Sequence, residues 1–255
     1  GLNASAWVFF ALSLAIPSGY SYGSVGLLLF ALLGAGVLFR QQLPRLTWWL
    51  IALFVLMGLL WAMKFDGFGT WTGSDYLLKY WLAALTLAIV TLWGVRPAAV
   101  AWGVSAGAVS ALGITAYQYV VLGWDKAWGF TNAIQFGGLA MYLGIAAWCW
   151  ALFTSQRWYW TALMWLCGAC GVMASLLSET RGAWVVAPLL LLCVLIVLCR
   201  QGRVRWAVSA VVAAVVMVMA AVVPFAEKFE SRAVQAVHEF ERYAENPQQA
   251  AVTSV

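Results

Sequence analysis

Charge is what this chain has least of. Aspartate, glutamate, lysine and arginine make up 9% of its 255 residues, where an ordinary soluble domain carries roughly 25%. That excludes a water-solvated globule. Histidine is reduced to one, His238, so no HExxH helix can form. Neither a GxSxG with partners nor a phosphate-cradling P-loop is present, which sets aside the common hydrolase and nucleotide-dependent classes. Acidic residues number nine. None forms a DxD pair or a cluster able to hold a divalent cation. No basic segment precedes the first apolar run, so that run reads as a membrane helix and not a signal peptide. A first residue of Gly1 where Met would stand points to a trimmed start.

Cysteine offers little chemistry. Cys149, Cys167, Cys170, Cys193 and Cys199 all lie in or at the ends of apolar runs. Cys167-x-x-Cys170 has redox or zinc spacing, yet no further Cys, His or carboxylate accompanies it. These residues read as small apolar helix positions, with no disulfide, metal or cofactor expected.

What the chain has in abundance is apolar length. Hydrophobic residues make up 65% of it, and runs of about 17–25 residues recur, each long enough to cross roughly 30 Å of hydrocarbon as a helix. The expected fold class is therefore all-α, a polytopic integral membrane protein. Nine spans are expected, at about 4–16, 22–39, 46–63, 77–93, 98–122, 134–153, 158–177, 183–199 and 206–225. Residues 1–225 form the transmembrane domain in this division, and 226–255 begin a polar segment. Ala226, Phe229, Ala233, Val237, Phe240 and Ala244 recur there at helical spacing, so an amphipathic surface helix is expected, ending at Pro247. His238 sits in it with no partner visible in the sequence. Seventeen Trp suit interface anchoring as well as packing.

The charges segregate. Arg40, Arg45, Arg96, Arg157, Arg200, Arg203 and Arg205 occupy one set of alternate loops, without an acid. All nine acids fall in the other loops and the tail. The positive-inside rule puts the arginine loops and the N-terminus in the cytoplasm, and the other face in the periplasm. The formal charge of +5 is divided among short loops, so no nucleic-acid surface is expected.

The periplasmic loops carry the informative residues. Lys64 opens a Gly- and aromatic-rich stretch reaching Asp75, expected to lie on the membrane surface. Lys79 follows within the next helix, and an i, i+4 pair with Asp75 would explain it locally. Gly123–Ile134 holds Asp125, Lys126 and Gly129-Phe130-Thr131-Asn132, with Gln135 beyond. It could equally be a plain exposed loop. Ser178-Glu179-Thr180-Arg181-Gly182-Ala183-Trp184 is a polar break between two apolar runs. Arg181 and Glu179 could simply neutralise each other at the interface. Alternatively, cations at the membrane surface suit an anionic head group, a phosphate or diphosphate. Arginine grips one through two-point bonds, and Gly182 admits an oxygen close to the backbone at a helix start.

Ser178-x-Thr180-Arg181-Gly182-x-Trp184 resembles the arginine motif of the O-antigen ligase and polymerase superfamily. Gly129-Phe130-Thr131-Asn132-Ala133-Ile134 is similar to that superfamily's earlier outer-loop motif, and the Lys79 segment to its basic position at a helix start. The layout of spans, short cytoplasmic loops and a late periplasmic segment resembles it over essentially the whole chain. The resemblance implies a GT-C-type membrane glycosyltransferase of the bacterial inner membrane. Such an enzyme moves a glycan from undecaprenyl diphosphate to an acceptor at the periplasmic face, without a metal. Ligases use lipid A–core oligosaccharide as acceptor, polymerases another carrier-linked repeat, and relatives use protein hydroxyls. Polymerases often carry Asn-Pro-Asn where this chain has Asn132-Ala133-Ile134, which favours the ligase. The resemblance implies a catalytic role for Arg181 at the diphosphate, with Lys79 on the same anion. Lys64 is a further substrate-binding cation by its place at an outer helix end, and Gly182 by the close approach it allows. Asn132 and Gln135 are expected near the entry of the glycan or prenyl chain. Membrane lipids are the remaining partners. The family continues through another arginine, a histidine and further helices, whereas this sequence stops at Thr253-Ser254-Val255. No residue matches that histidine, His238 included, so the 255-residue product alone is expected to be inactive. A transporter or flippase of an anionic lipid would use the same cations. It would also need a polar path through the bilayer, and no charge lies at mid-depth in the inner halves of these spans and no inverted repeat is visible.

Overall fold

A computed structural model describes residues 1–38, 42–64, 71–124, 126–154, 157–179, 192, 194–202, 208 and 212. Arg181, Gly182, Asp125, most of the expected spans 183–199 and 206–225 and the expected tail helix lie outside these. The chain divides into two compact units, Gly1–Leu191 and Leu192–Val255. In the second, residues 194–200 are helical.

The regular elements of the first unit are helices: α1 (Leu2–Leu12), α2 (Gly19–Leu38), α3 (Arg45–Lys64), α4 (Trp71–Trp93), α5 (Pro97–Ala116), α6 (Ala133–Phe153) and α7 (Trp158–Leu177). A π-helical turn, Tyr117–Val121, prolongs α5. These match the first seven expected spans within a few residues, except that α4 begins earlier. Trp71–Asp75 belong to its first turns and not to a surface loop, so the connection after Lys64 shrinks to residues 65–70. The carboxylate of Asp75 pairs with Lys79 one turn later, which stabilises an early helical start.

Local chemistry sets the ends. Gly94 takes φ +72° and stops α4, a left-handed conformation costly to any residue with a Cβ. Pro97 then starts α5, with its ring pre-set to helical φ and no N–H to leave unpaired.

Among the described residues, five helices are long and apolar enough to cross a membrane: residues 19–36, 45–64, 97–121, 133–153 and 158–177. Their outward faces carry Leu33, Leu46, Trp49, Ile134 and Trp158, each at least 70% exposed. Large side chains of that kind, repeated on helix after helix, suit a lipid surround and not water. Together they mark a membrane protein.

Half of the α6 span is buried but only 17% of α3, so α6 is central and α3 peripheral. The core joins α1, α5, α6 and α7 through Phe10, Leu14 just after α1, Val104, Ala108, Phe136, Ala140, Leu143 and Ala174. Small residues let α6 and α7 approach. A Cβ on Gly171 would stand 2.6 Å from the Ala140 carbonyl oxygen and 2.8 Å from Gly144 Cα. Between lipid-embedded helices such contacts supply the attraction that apolar side chains cannot, because lipid solvates those equally well.

Contacts also fix directions. Arg96 N–H donates to Asn3 Oδ1 and Ser110 Oγ lies 3.4 Å from the Ala11 carbonyl oxygen, so α1 and α5 run parallel. Ser105 meets Met164 and Trp102 meets Trp160, so α7 is parallel to both. α6 runs against α7, with Trp148 Nε1 donating to the Trp165 carbonyl.

Candidate functional site

Because α5 and α7 run parallel, their C-terminal ends lie at the same end of the bundle as the start of α6. The connection 122–132 therefore meets the end of α7. Ala127 N–H donates to the Leu177 carbonyl over 3.4 Å, and Lys126 Nζ stands 3.8 Å from Glu179 Oε2. Two stretches some fifty residues apart in sequence thus form one corner.

Gln118 builds that corner. It is buried in the π turn. Its amide nitrogen donates to the Gly129 carbonyl at 2.8 Å, while its carbonyl oxygen accepts from Gly129 N–H at 2.9 Å and Trp128 N–H at 3.1 Å. Three backbone groups inside a low-dielectric site are satisfied by one side chain, which otherwise would cost free energy individually. Gly129 is required twice over. It takes φ +60°, and a Cβ there would stand 2.3 Å from the Phe136 ring. The connection is therefore pinned onto the core, and Ala127 is fully buried. A plain exposed loop would not be held in this way. Trp128 and Phe130 project outward, about half exposed, and the Trp124 and Trp128 rings meet edge to face at 5.4 Å.

Asn132 is the N-cap of α6, with Oδ1 accepting from Gln135 N–H at 2.8 Å. Both residues are exposed at the corner. Asn132 thus carries a structural task whatever else it does.

On the α7 side, Ser178 is buried and its hydroxyl donates to the Ser175 carbonyl at 2.7 Å. Glu179 follows with φ +54°, at the position after the helix where glycine is usual. A glutamate held in left-handed conformation costs on the order of 1 kcal/mol, and such strain concentrates at functional corners. Glu179 Oε2 is buried and faces Lys126. Lys126 is therefore an ion partner of Glu179. The expected pairing with Arg181 lies outside the described residues.

No protein-family model, curated protein or solved structure matches this chain. The site rests on its own residues.

Lys64 and Lys79 are placed elsewhere. α3 and α4 pack on each other, and α4 on α2, while α1 links α2 to α5. The α1–α2 pair thus stands between the two lysines and the 122–132 corner. Lys64 is exposed at the end of α3, its Nζ 4.8 Å from the centroid of the Trp61 ring. Lys79 Nζ lies 2.5 Å from Asp75 Oδ2, the local pair that their spacing permits. Among the described residues no three His, Cys, Asp or Glu side chains gather as a metal site.

Sequence reasoning passed over Gln118. The available signal was a lone amide in an apolar helix, one turn before a Gly- and Trp-rich break. A buried carboxamide of that kind commonly serves the adjoining backbone.

Proposed function

We propose that the chain is a nine-span, GT-C-type glycosyltransferase of the bacterial inner membrane, with its N-terminus in the cytoplasm. It transfers a glycan such as O-antigen from undecaprenyl diphosphate to lipid A–core oligosaccharide on the periplasmic side. The observation that carries this is the corner. The chain just before Gly129–Ile134, a stretch resembling one of the superfamily's outer motifs, meets the end of α7, where the second such stretch begins, through Ala127 and Leu177 and through Lys126 and Glu179. Residues that act on one substrate have to converge, and this contact supports the reading that the two motifs do so.

In the reaction, an acceptor hydroxyl attacks the anomeric carbon, and the bond from that carbon to the diphosphate oxygen breaks. The diphosphate leaves with the bonding electron pair, and the hydroxyl proton passes to a base. Arg181 binds the departing diphosphate, where charge grows as the bond breaks, and Gly182 leaves room for an oxygen at the backbone. Lys126, beside Glu179 at this corner, adds a further cation. Asn132 and Gln135 border the path of the glycan.

Arg181→Lys tests the assignment. Lysine keeps the charge but loses the planar fork of donors. Two-point grip on a diphosphate predicts a loss of about 2–4 kcal/mol of transition-state stabilisation, roughly 30- to 1000-fold in transfer, with folding intact. Transfer is measured with purified full-length variants, normalised to folded protein. Near-wild-type transfer by Arg181→Lys, alongside a folding defect in Glu179→Gln, would make the motif structural.

A further inference from the structure

The end of the bundle opposite the 122–132 corner holds a different feature. Between the start of α5 and the end of α6 lies an open crevice of about 690 Å³, lined by Val95, Pro97, Val100, Tyr142, Cys149 and Phe153 among others. That volume is in the range of small-molecule pockets, and its lining is almost wholly apolar. Arg96 stands between the lining residues Val95 and Pro97, exposed at the N-cap of α5. Arg157, also exposed, caps the start of α7 three residues beyond the lining residue Thr154. The edge-to-face contact of Trp102 with Trp160 at 5.0 Å holds the start of α7 against α5. An apolar slot thus has an arginine in each of the two connections next to it, Arg157 donating from Nη1 to Tyr159 Oη at 3.2 Å, and no acid stands in either connection, 94–96 or 154–157.

We propose that this crevice binds an anionic phospholipid, its acyl chain between α5 and α6 and its phosphate on Arg96 and Arg157. Two cations beside an apolar slot complement a molecule that is apolar along its length and negative at one end. A zwitterionic lipid matches the slot but not the charge, and a free phosphate matches the charge but not the slot. By the positive-inside rule this end faces the cytoplasmic leaflet, where anionic lipids are concentrated. The site is separate from the proposed transfer corner, and its occupation does not depend on that chemistry.

The test uses the purified protein in detergent, with dioleoylphosphatidylglycerol, dioleoylphosphatidylcholine and inorganic phosphate as probes. Binding is read by native mass spectrometry and by the unfolding temperature. The phosphatidylglycerol is expected to bind and raise the unfolding temperature, with the other two far weaker. Arg96→Gln and Arg157→Gln should each weaken it about fivefold, the effect of one basic residue near a charged surface. Arg45→Gln, at the start of α3 and away from the crevice, should leave binding unchanged. Ala146 also lines the crevice; Ala146→Phe fills the slot and should abolish the preference. Equal binding of the two lipids, equal protection by phosphate, or equal losses from Arg45→Gln and Arg96→Gln would overturn the proposal. So would unchanged binding in Ala146→Phe. Because Arg96 and Arg157 are exposed, their variants should fold even where Ala146→Phe does not, and they decide the matter alone.

Discussion

Replacing Gln118 with methionine keeps the length and bulk of the side chain and deletes its hydrogen bonds. Gly129 N–H, Gly129 carbonyl and Trp128 N–H would then lose their partner at once. Gly129 is buried, while Trp128 is partly open to its surroundings. At about 1–3 kcal/mol for each buried group left unpaired, offset by water reaching the outer one, the corner should lose about 2–4 kcal/mol of local stability. The helices should not follow, because the contacts of α6 with α7 and of α1 with α5 do not pass through Gln118. Amide hydrogen exchange in detergent separates the two. Exchange at Trp128 and Gly129 should rise roughly 30- to 1000-fold, with the cores of α5, α6 and α7 unchanged. Transfer activity should fall with the same variant, since the corner would no longer hold its shape. Gln118→Glu should also be damaged, because its carboxylate keeps the acceptor but opposes the Gly129 carbonyl. Unchanged protection at Trp128 and Gly129 in Gln118→Met would refute the clamp. An equal rise throughout α5–α7 would show that Gln118 supports the bundle and not the corner.

Gly171→Val should destabilise the α6–α7 pair by about 1–3 kcal/mol, because the new side chain meets backbone and not a flexible group; a lower unfolding temperature checks it, and an unchanged one would deny the close approach. Asn132→Ala should cost about 1 kcal/mol through loss of the helix cap, and Asn132→Ser should recover most of it. If Asn132 serves only as the cap, transfer recovers with stability; if it also contacts the glycan, Asn132→Ser restores stability and not transfer. Single cysteines at positions 125 and 239, on a cysteine-free background, should react with an impermeant reagent in whole cells, while cysteines at 157 and 203 should not; the reverse pattern would invert the proposed orientation.

The membrane character was legible in the sequence because it depends on each segment by itself. A run such as 133–153 is long and apolar whatever it packs against, and Gly94-Val95-Arg96-Pro97 ends one helix and starts another by local chemistry. The early start of α4 was less legible, since aromatic and glycine residues at Trp71–Gly73 suit an interfacial loop as well as a first helical turn. Neighbours were not legible at all. α5 and α6 carry apolar residues on most of their circumference, so pattern does not tell the face that meets protein from the face that meets lipid. Packing decided that, through small residues such as Ala140, Gly144 and Gly171 that permit backbone approach. Only the tertiary structure put Ala127 on Leu177 and Lys126 beside Glu179, set Lys79 apart from them behind α1 and α2, and turned Gln118 into the clamp of the corner. Those contacts depend on the parallel course of α5 and α7, a property of the assembled bundle that no single segment contains.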